Sequence, residues 1–252
     1  MGGAVNTNST LGSSNFDGNN KAIVKVNASA GFSIVSYVGT GQDNTDVTMG
    51  HGLGVTPAVV IIKKRDSGGS EAQWGVLHHK LTSGNNIFLQ TTGAEGTYSN
   101  QIKSMESTTF TVNTGDASAG RYNRSGNNYI SYVFSEVAGF SKHGSYVGNS
   151  SDNGTFVFTG FSVAWLMVKR ANGSSTNWTI LDNKRDTFNV AETRLFANSS
   201  EADSVSSGGV GSVDFLSNGF KVRDSHQDGN SSSGTYIYLC FAKSPFKNAR
   251  AR

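Results

Sequence analysis

One stretch of the chain occurs twice, and the repetition limits the folds open to it. The first copy runs Ala58-Val-Val-Ile-Ile-Lys-Lys-Arg65, a polar turn, then Trp74-Gly-Val-Leu-His-His-Lys-Leu81. The second runs Ala164-Trp-Leu-Met-Val-Lys-Arg170, a polar turn, then Trp178-Thr-Ile-Leu-Asp-Asn-Lys184. An apolar run bounded by charge and turn residues is the pattern of a buried strand. Two such runs joined through Gly, Ser and Asn predict a hairpin. The matching continues on both sides. Phe32 answers Phe140, Tyr37 answers Tyr146, and Gly39 answers Gly148. Phe110-Thr-Val112 is answered within Asp214–Val222, and Tyr129–Phe134 by Tyr236–Phe241. The period, about 105 to 109 residues, exceeds that of a solenoid or propeller blade.

Composition narrows the class. Of 252 residues 31 are Gly and only 2 Pro, and charged residues make up 15%, below the roughly 25% of average domains. The apolar residues gather in short runs, and 15 Phe, 8 Tyr and 3 Trp set the chain apart from disordered sequences. No segment carries convincing helical periodicity. Short strands with Gly-rich turns predict an all-β protein, an antiparallel sandwich or jelly-roll built from an internal duplication. The expected division is a polar N-terminal arm over 1–28, a first β repeat over 29–138 and a second over 139–252, either as two sandwiches or as one joint sandwich. Lys21–Val26 is a candidate strand just outside the repeat, Thr40–Thr48 reads as a polar loop, and Thr155–Thr159 as a strand added in the second repeat.

The formal net charge of +3 is spread along the chain, unlike the concentrated basic stripe of a nucleic-acid binder, so no nucleic-acid partner is expected. The N-terminus lacks the pattern of a signal peptide and no run is long enough to span a membrane, so cytoplasmic synthesis without membrane insertion is expected. The single cysteine, Cys240, cannot close an intramolecular disulfide and reads as a small buried strand residue.

Candidate ligand-binding residues are Trp74, His78, His79, Trp178 and Asp182; the two tryptophans recur at matching positions and would stack on a sugar face if exposed or fill the core if buried. His78 and His79, matched by Asp182 and Asn183, read as an exposed polar strand end. Strand neighbours point to opposite faces, which argues against joint chelation. Asp43 and Asp152 lie in equivalent polar loops, where carboxylates can hold Ca²⁺ or serve as ordinary turn formers. No cofactor is expected beyond that candidate Ca²⁺. His51, within Gly-His-Gly52, reads as a local structural residue. No nucleophile elbow, phosphate loop or zinc-protease motif occurs in the sequence.

Gly31-Phe-Ser-Ile-Val-Ser-Tyr37, His51-Gly-Leu-Gly-Val-Thr-Pro57, Trp74 with its following strand, Gly139-Phe-Ser-Lys142, Asp214–Lys221 and Gly234-Thr-Tyr-Ile-Tyr238 with Ser244-Pro-Phe-Lys247 together resemble a domain of tail-fibre-like and other structural proteins of tailed bacteriophages, many of them marine. The resemblance spans roughly residues 29–252. It implies a virion component on or near the particle surface. The expectation is a non-enzymatic structural protein, a capsid decoration or tail-fibre-like component, that stabilises the particle and/or contacts the host surface, docks on other virion proteins through its N-terminal arm and forms homo-oligomers. It brings no catalytic residues. The alternatives are a lectin-like module recognising host-surface glycans and a polysaccharide depolymerase, which needs paired carboxylates in a cleft.

Overall fold

The computed structural model describes residues 13–41, 45–66, 72–98, 101–113, 121–173, 175–205 and 211–244. Ten strands come first: β1 (Ser13–Asn15), β2 (Ala22–Asn27), β3 (Phe32–Val38), β4 (Asp46–Gly50), β5 (Val59–Lys64), β6 (Gly75–His78), β7 (Ile87–Phe88), β8 (Gln101–Met105), β9 (Thr109–Asn113) and β10 (Asn128–Phe134). Nine follow: β11 (Ser141–Val147), β12 (Phe156–Phe158), β13 (Val163–Arg170), β14 (Thr179–Asp182), β15 (Thr193–Phe196), β16 (Ser204–Val205), β17 (Val213–Leu216), β18 (Gly219–Val222) and β19 (Thr235–Ala242). All strand ladders are antiparallel, and the described residues contain one 3-10 turn, Ala28–Ala30, and no α-helix. No helix among them is long and apolar enough to cross a membrane.

The chain forms two compact units. Unit 1 takes residues 1–88 and 96–135; unit 2 takes 89–95 and 136–252. Each has a large sheet and a three-stranded sheet. In unit 1 the orders are β1-β2-β3-β10-β5-β6-β7 and β4-β9-β8. In unit 2 they are β11-β19-β13-β14-β15-β16 and β12-β18-β17. Without β1, β2 and β16, the two units share one strand order. β12 is therefore no added strand. It holds the place of β4, which lies where the sequence read as loop.

Each sheet pair encloses one apolar cluster. Val35, Tyr37, Met49, Val60, Ile62, Phe110, Val112, Tyr129 and Val133 are among those filling unit 1. Tyr146, Val157, Leu166, Val168, Phe220, Val222, Tyr236, Tyr238 and Cys240 do so in unit 2. Alternation along β3 and β10 sends every second residue inward, as a pleated strand requires. β5 departs from it: Val59 and Ile61 are buried along with Val60 and Ile62, which is why its sequence is a continuous apolar run.

The division departs from the expected one in two respects. From residue 13 onward the polar arm is part of unit 1, with β1 paired to β2 and β2 to β3. Residues 89–95 belong to unit 2, where Glu95 N–H donates to Ala171 C=O (2.8 Å) and Thr92 C=O accepts from Thr176 N–H (3.3 Å).

Candidate functional site

Of the residues singled out above, Trp74, His78, His79, Trp178 and Asp182 fall at the equivalent β5–β6 and β13–β14 hairpins. Trp178 is 0% exposed, so its ring offers no face to a sugar; its main-chain N–H donates to Asn198 Oδ1 (2.7 Å). Trp74 is half-buried. It stacks near-parallel to Tyr132, with ring centroids 6.3 Å apart, and the Lys63 ammonium lies 5.5 Å from its centroid. The paired tryptophans thus differ in exposure, and only Trp74 keeps surface for a ligand.

His78 is buried, which corrects its reading as an exposed strand end, whereas His79 is exposed. Their rings lie 5.1 Å apart and tilted by 52°. His78 Nδ1 accepts the N–H of Lys80 (3.1 Å), and His79 N–H donates to Ala58 C=O (2.9 Å). In unit 2 Asp182 Oδ1 accepts the N–H of Lys184 (2.9 Å), and Asn183 N–H donates to Ala164 C=O (2.9 Å). Imidazole and carboxylate therefore do one job, accepting the N–H two residues on and fixing the turn out of the hairpin. Asp182 also accepts Arg185 N–H (2.9 Å) and pairs with the Arg185 guanidinium. His51 follows the same rule: Nδ1 accepts Leu53 N–H (3.1 Å) while Nε2 donates to Glu106 C=O (3.1 Å). That network assigns the neutral tautomer, and burial lowers the ring's pKa.

A second repeated constellation lies where β3 and β11 end. The Tyr37 hydroxyl donates to Tyr122 C=O (2.7 Å) and the Tyr146 hydroxyl to Gly229 C=O (2.6 Å). Each ring stacks on the tyrosine that stands second in its neighbouring strand: Tyr37 on Tyr129 and Tyr146 on Tyr236, both at 5.0 Å. Buried Asn123 accepts Thr40 N–H (2.9 Å), and buried Asn230 accepts Asn149 N–H (2.9 Å). Gly39 and Gly148 sit between these groups. A Cβ on either would overlap the carbonyl oxygen of Arg124 or of Ser231. Burial raises both Tyr37 and Tyr146 well above the ordinary tyrosine range, so they stay protonated and donate.

Each β5–β6 or β13–β14 hairpin is also pinned by a lysine. Lys63 donates to Ala72 C=O. Its counterpart Lys169 is fully buried, and its ammonium reaches Thr176 Oγ1 (2.7 Å), Thr176 C=O (3.0 Å) and Thr92 C=O (3.3 Å). Burial lowers the pKa of Lys169 to about 8, against an opposing pull from Asp228.

Unit 2 alone has an acidic alternation among its described residues, Asp224-Ser-His226-Gln-Asp228-Gly-Asn230. Asp228 accepts Asn177 N–H (3.0 Å) and Nδ2–H (3.2 Å). Asp224 Oδ1 accepts His226 N–H (2.7 Å), while Oδ2 is buried with no hydrogen-bond partner among the described residues. Burial lifts this carboxyl to about 6, Asp152 adds to the rise, and the N–H groups of His226 and Gly211 oppose it. Asp152 itself is exposed, in a loop organised by Asn149 Oδ1 on Ser151 N–H (3.1 Å) and Ser151 Oγ on Asn153 N–H (3.1 Å). Asp43 lies outside the described residues. Among the described residues no three His, Cys, Asp or Glu side chains converge as metal ligands.

Sequence reasoning missed the asparagine pair, although the signal was present. Asn123 precedes Tyr129, and Asn230 precedes Tyr236, by the same spacing of six residues.

A family model described as a domain of unknown function, DUF7483, matches residues 6–245. No curated protein and no solved structure matches the chain.

Proposed function

The chain belongs to the DUF7483 family, and we propose that it is a non-enzymatic structural protein of a virus particle, a surface component of the tailed-phage kind that its sequence resembles. The observation that carries the reading is what the polar side chains do. The candidate residues His78 and Trp178, which are buried, and the half-buried Asp182 hold turns or fill space, as do the buried lysine, tyrosines and asparagines. Such use supports a rigid scaffold that works through shape and loop contacts. Weak contacts of this sort gain strength when many copies act together. The shared strand order supports reading the units as copies of one ancestral module.

Mass spectrometry of purified particles from a phage encoding the chain tests the reading. The protein is expected as a stoichiometric particle component, at hundreds of copies for a capsid decoration or a few to tens for a fibre, both rough expectations on symmetry grounds. Its absence from purified particles overturns the proposal. The half-buried Trp74 favours a second reading, a lectin-like contact with host glycans. Glycan-array binding lost on Trp74→Ala supports that reading, and silence across a broad array removes it.

A further inference from the structure

The two three-stranded sheets treat their outer edges differently. In unit 1 His51 N–H bonds Thr108 C=O, so by the parity of an antiparallel ladder Met49 and Val47 exchange bonds with β9 while the main chain of Thr48 points away from it. The chain covers that edge itself. Thr48 N–H donates to Asn19 Oδ1 (2.8 Å), Thr48 C=O accepts Asn20 N–H (3.1 Å), and Asp46 C=O accepts Asn19 Nδ2–H (3.0 Å). Gly50 carries no side chain where the Asn15 carboxamide sits; a Cβ there would overlap it.

In unit 2 Val222 N–H bonds Thr155 C=O (3.0 Å) and Thr159 N–H bonds Asn218 C=O (2.9 Å). By the same parity Val157 exchanges bonds with Phe220, and the main-chain groups of Phe156 and Phe158 point away from β18. β12 pairs with β18 alone, and among the described residues no hydrogen bond reaches those outward groups. Where unit 1 has Thr48 and Gly50, unit 2 has Phe156 and Phe158, 45% and 61% exposed. Free edges are ordinarily blunted by charge, proline or a bulge. β12 has none of these, and no charged residue occurs from Asn153 to Val168.

We propose that β12 is an oligomerisation edge, pairing antiparallel with β12 of a second copy about a two-fold axis through Val157. The sequence about that axis is self-complementary. Phe156 of each copy faces Phe158 of the other, and both form hydrogen-bonded pairs, so four N–H···O=C bonds join two three-stranded sheets into one of six. All four phenylalanines lie on the same face as cross-strand aromatic pairs. The nearest charge on that face, Lys221, sits opposite Phe156 on β18. The two copies of Lys221 are then three strand spacings apart, about 14 Å, beyond the Debye length of about 8 Å, so like charge does not oppose the pairing. The area is small. Two rings and a strand edge per copy bury on the order of a few hundred Å², well under the roughly 1,200 Å² of a stable free dimer. The contact is therefore reversible between free copies and is consolidated where copies are held in register. It stands independently of the virion reading.

Thiol trapping tests it. Phe156→Cys and Phe158→Cys variants of the full chain, differently tagged, are mixed under mild oxidant; the native Cys240 is buried. The mixed 156–158 disulfide is expected to form at least about tenfold faster than either variant's own disulfide, because like positions lie diagonally, beyond the about 7 Å reach of a disulfide. Sedimentation of the native chain up to about 1 mM is expected to show a dimer typical of a small interface, lost in the Phe156→Ser/Phe158→Ser variant. Equal trapping rates overturn the pairing. So does a single-copy mass at every concentration, which would leave the edge to a different polypeptide, or a dimer indifferent to the double substitution.

Discussion

The two units run through the same strand order around cores of similar chemistry, yet they differ where polar groups are buried and where edges end. Unit 1 keeps its lysine half-exposed beside Trp74 and covers its β3 and β4 edges with residues 15–27. Unit 2 buries the matching lysine and, among the described residues, adds a carboxyl with an unmatched oxygen and leaves the β12 edge uncovered. The topology thus depends on what both units hold in common, the stacked tyrosines, the asparagine and the pinned hairpin. Differences accumulate at the rim and in polar pockets.

The largest expected contrast is between the lysines. Lys169→Ala removes a buried stem and the three hydrogen bonds its ammonium gives to Thr176 and Thr92, at a cost of about 3–5 kcal/mol. Lys63→Ala removes a half-exposed contact at about 1 kcal/mol. Urea denaturation of the two variants checks this, and equal losses would erase the distinction between the hairpins. Asn123→Ala and Asn230→Ala should each cost about 2–3 kcal/mol, since a buried amide then leaves backbone groups unmatched. The cost should be greater at Asn230, which also donates to Ser151 C=O and Asp224 C=O (2.8 and 2.7 Å). A tolerated Asn123→Ala would show that the shared corner matters in one unit only.

Asp224 makes the comparison depend on pH. Its folded pKa of about 6 lies above the ordinary 3.8, so between these values the folded chain binds more protons than the unfolded one. Stability from this group is full below about pH 4 and falls as pH rises through about 6. Asp224→Asn should therefore stabilise the protein by about 2–3 kcal/mol at pH 7.5 and hardly at all at pH 3.5. Thermal denaturation across pH measures it, and a variant whose pH profile parallels the native one would refute the assignment. The smallest effect is at Asp182: Asp182→Asn keeps the acceptor for Lys184 and should change stability by about 0.5 kcal/mol, against about 1–1.5 kcal/mol for Asp182→Ala.

The sequence was enough to foresee an all-β antiparallel architecture, because continuous apolar runs and alternating strands are local signals; it leaves open whether they make one sandwich or two. β4 escaped notice because Asp46-Val-Thr-Met-Gly50 pairs two apolar residues with turn formers, and its strand state is imposed by β9 and by residues 19–20. His78 read as an exposed strand end, and its match to Asp182 did not reveal a shared role. Their equivalence lies in which N–H they accept, and residue identity does not carry that. The depth of Trp178 against Trp74 was equally hidden, since burial depends on how each sheet is covered.

Residues 89–95 leave a mark on the order in which the protein can be made. Thr92 waits for Lys169, 77 residues further along. A ribosome adding about 5–20 residues per second releases the one many seconds before the other. Unit 1 can therefore close while a loop between its own strands β7 and β8 is still without its destination. A cut at residue 135 would separate unit 2 from a piece of itself, so the halves of this gene are not interchangeable cassettes, and any circular permutation or transplant must carry that loop along.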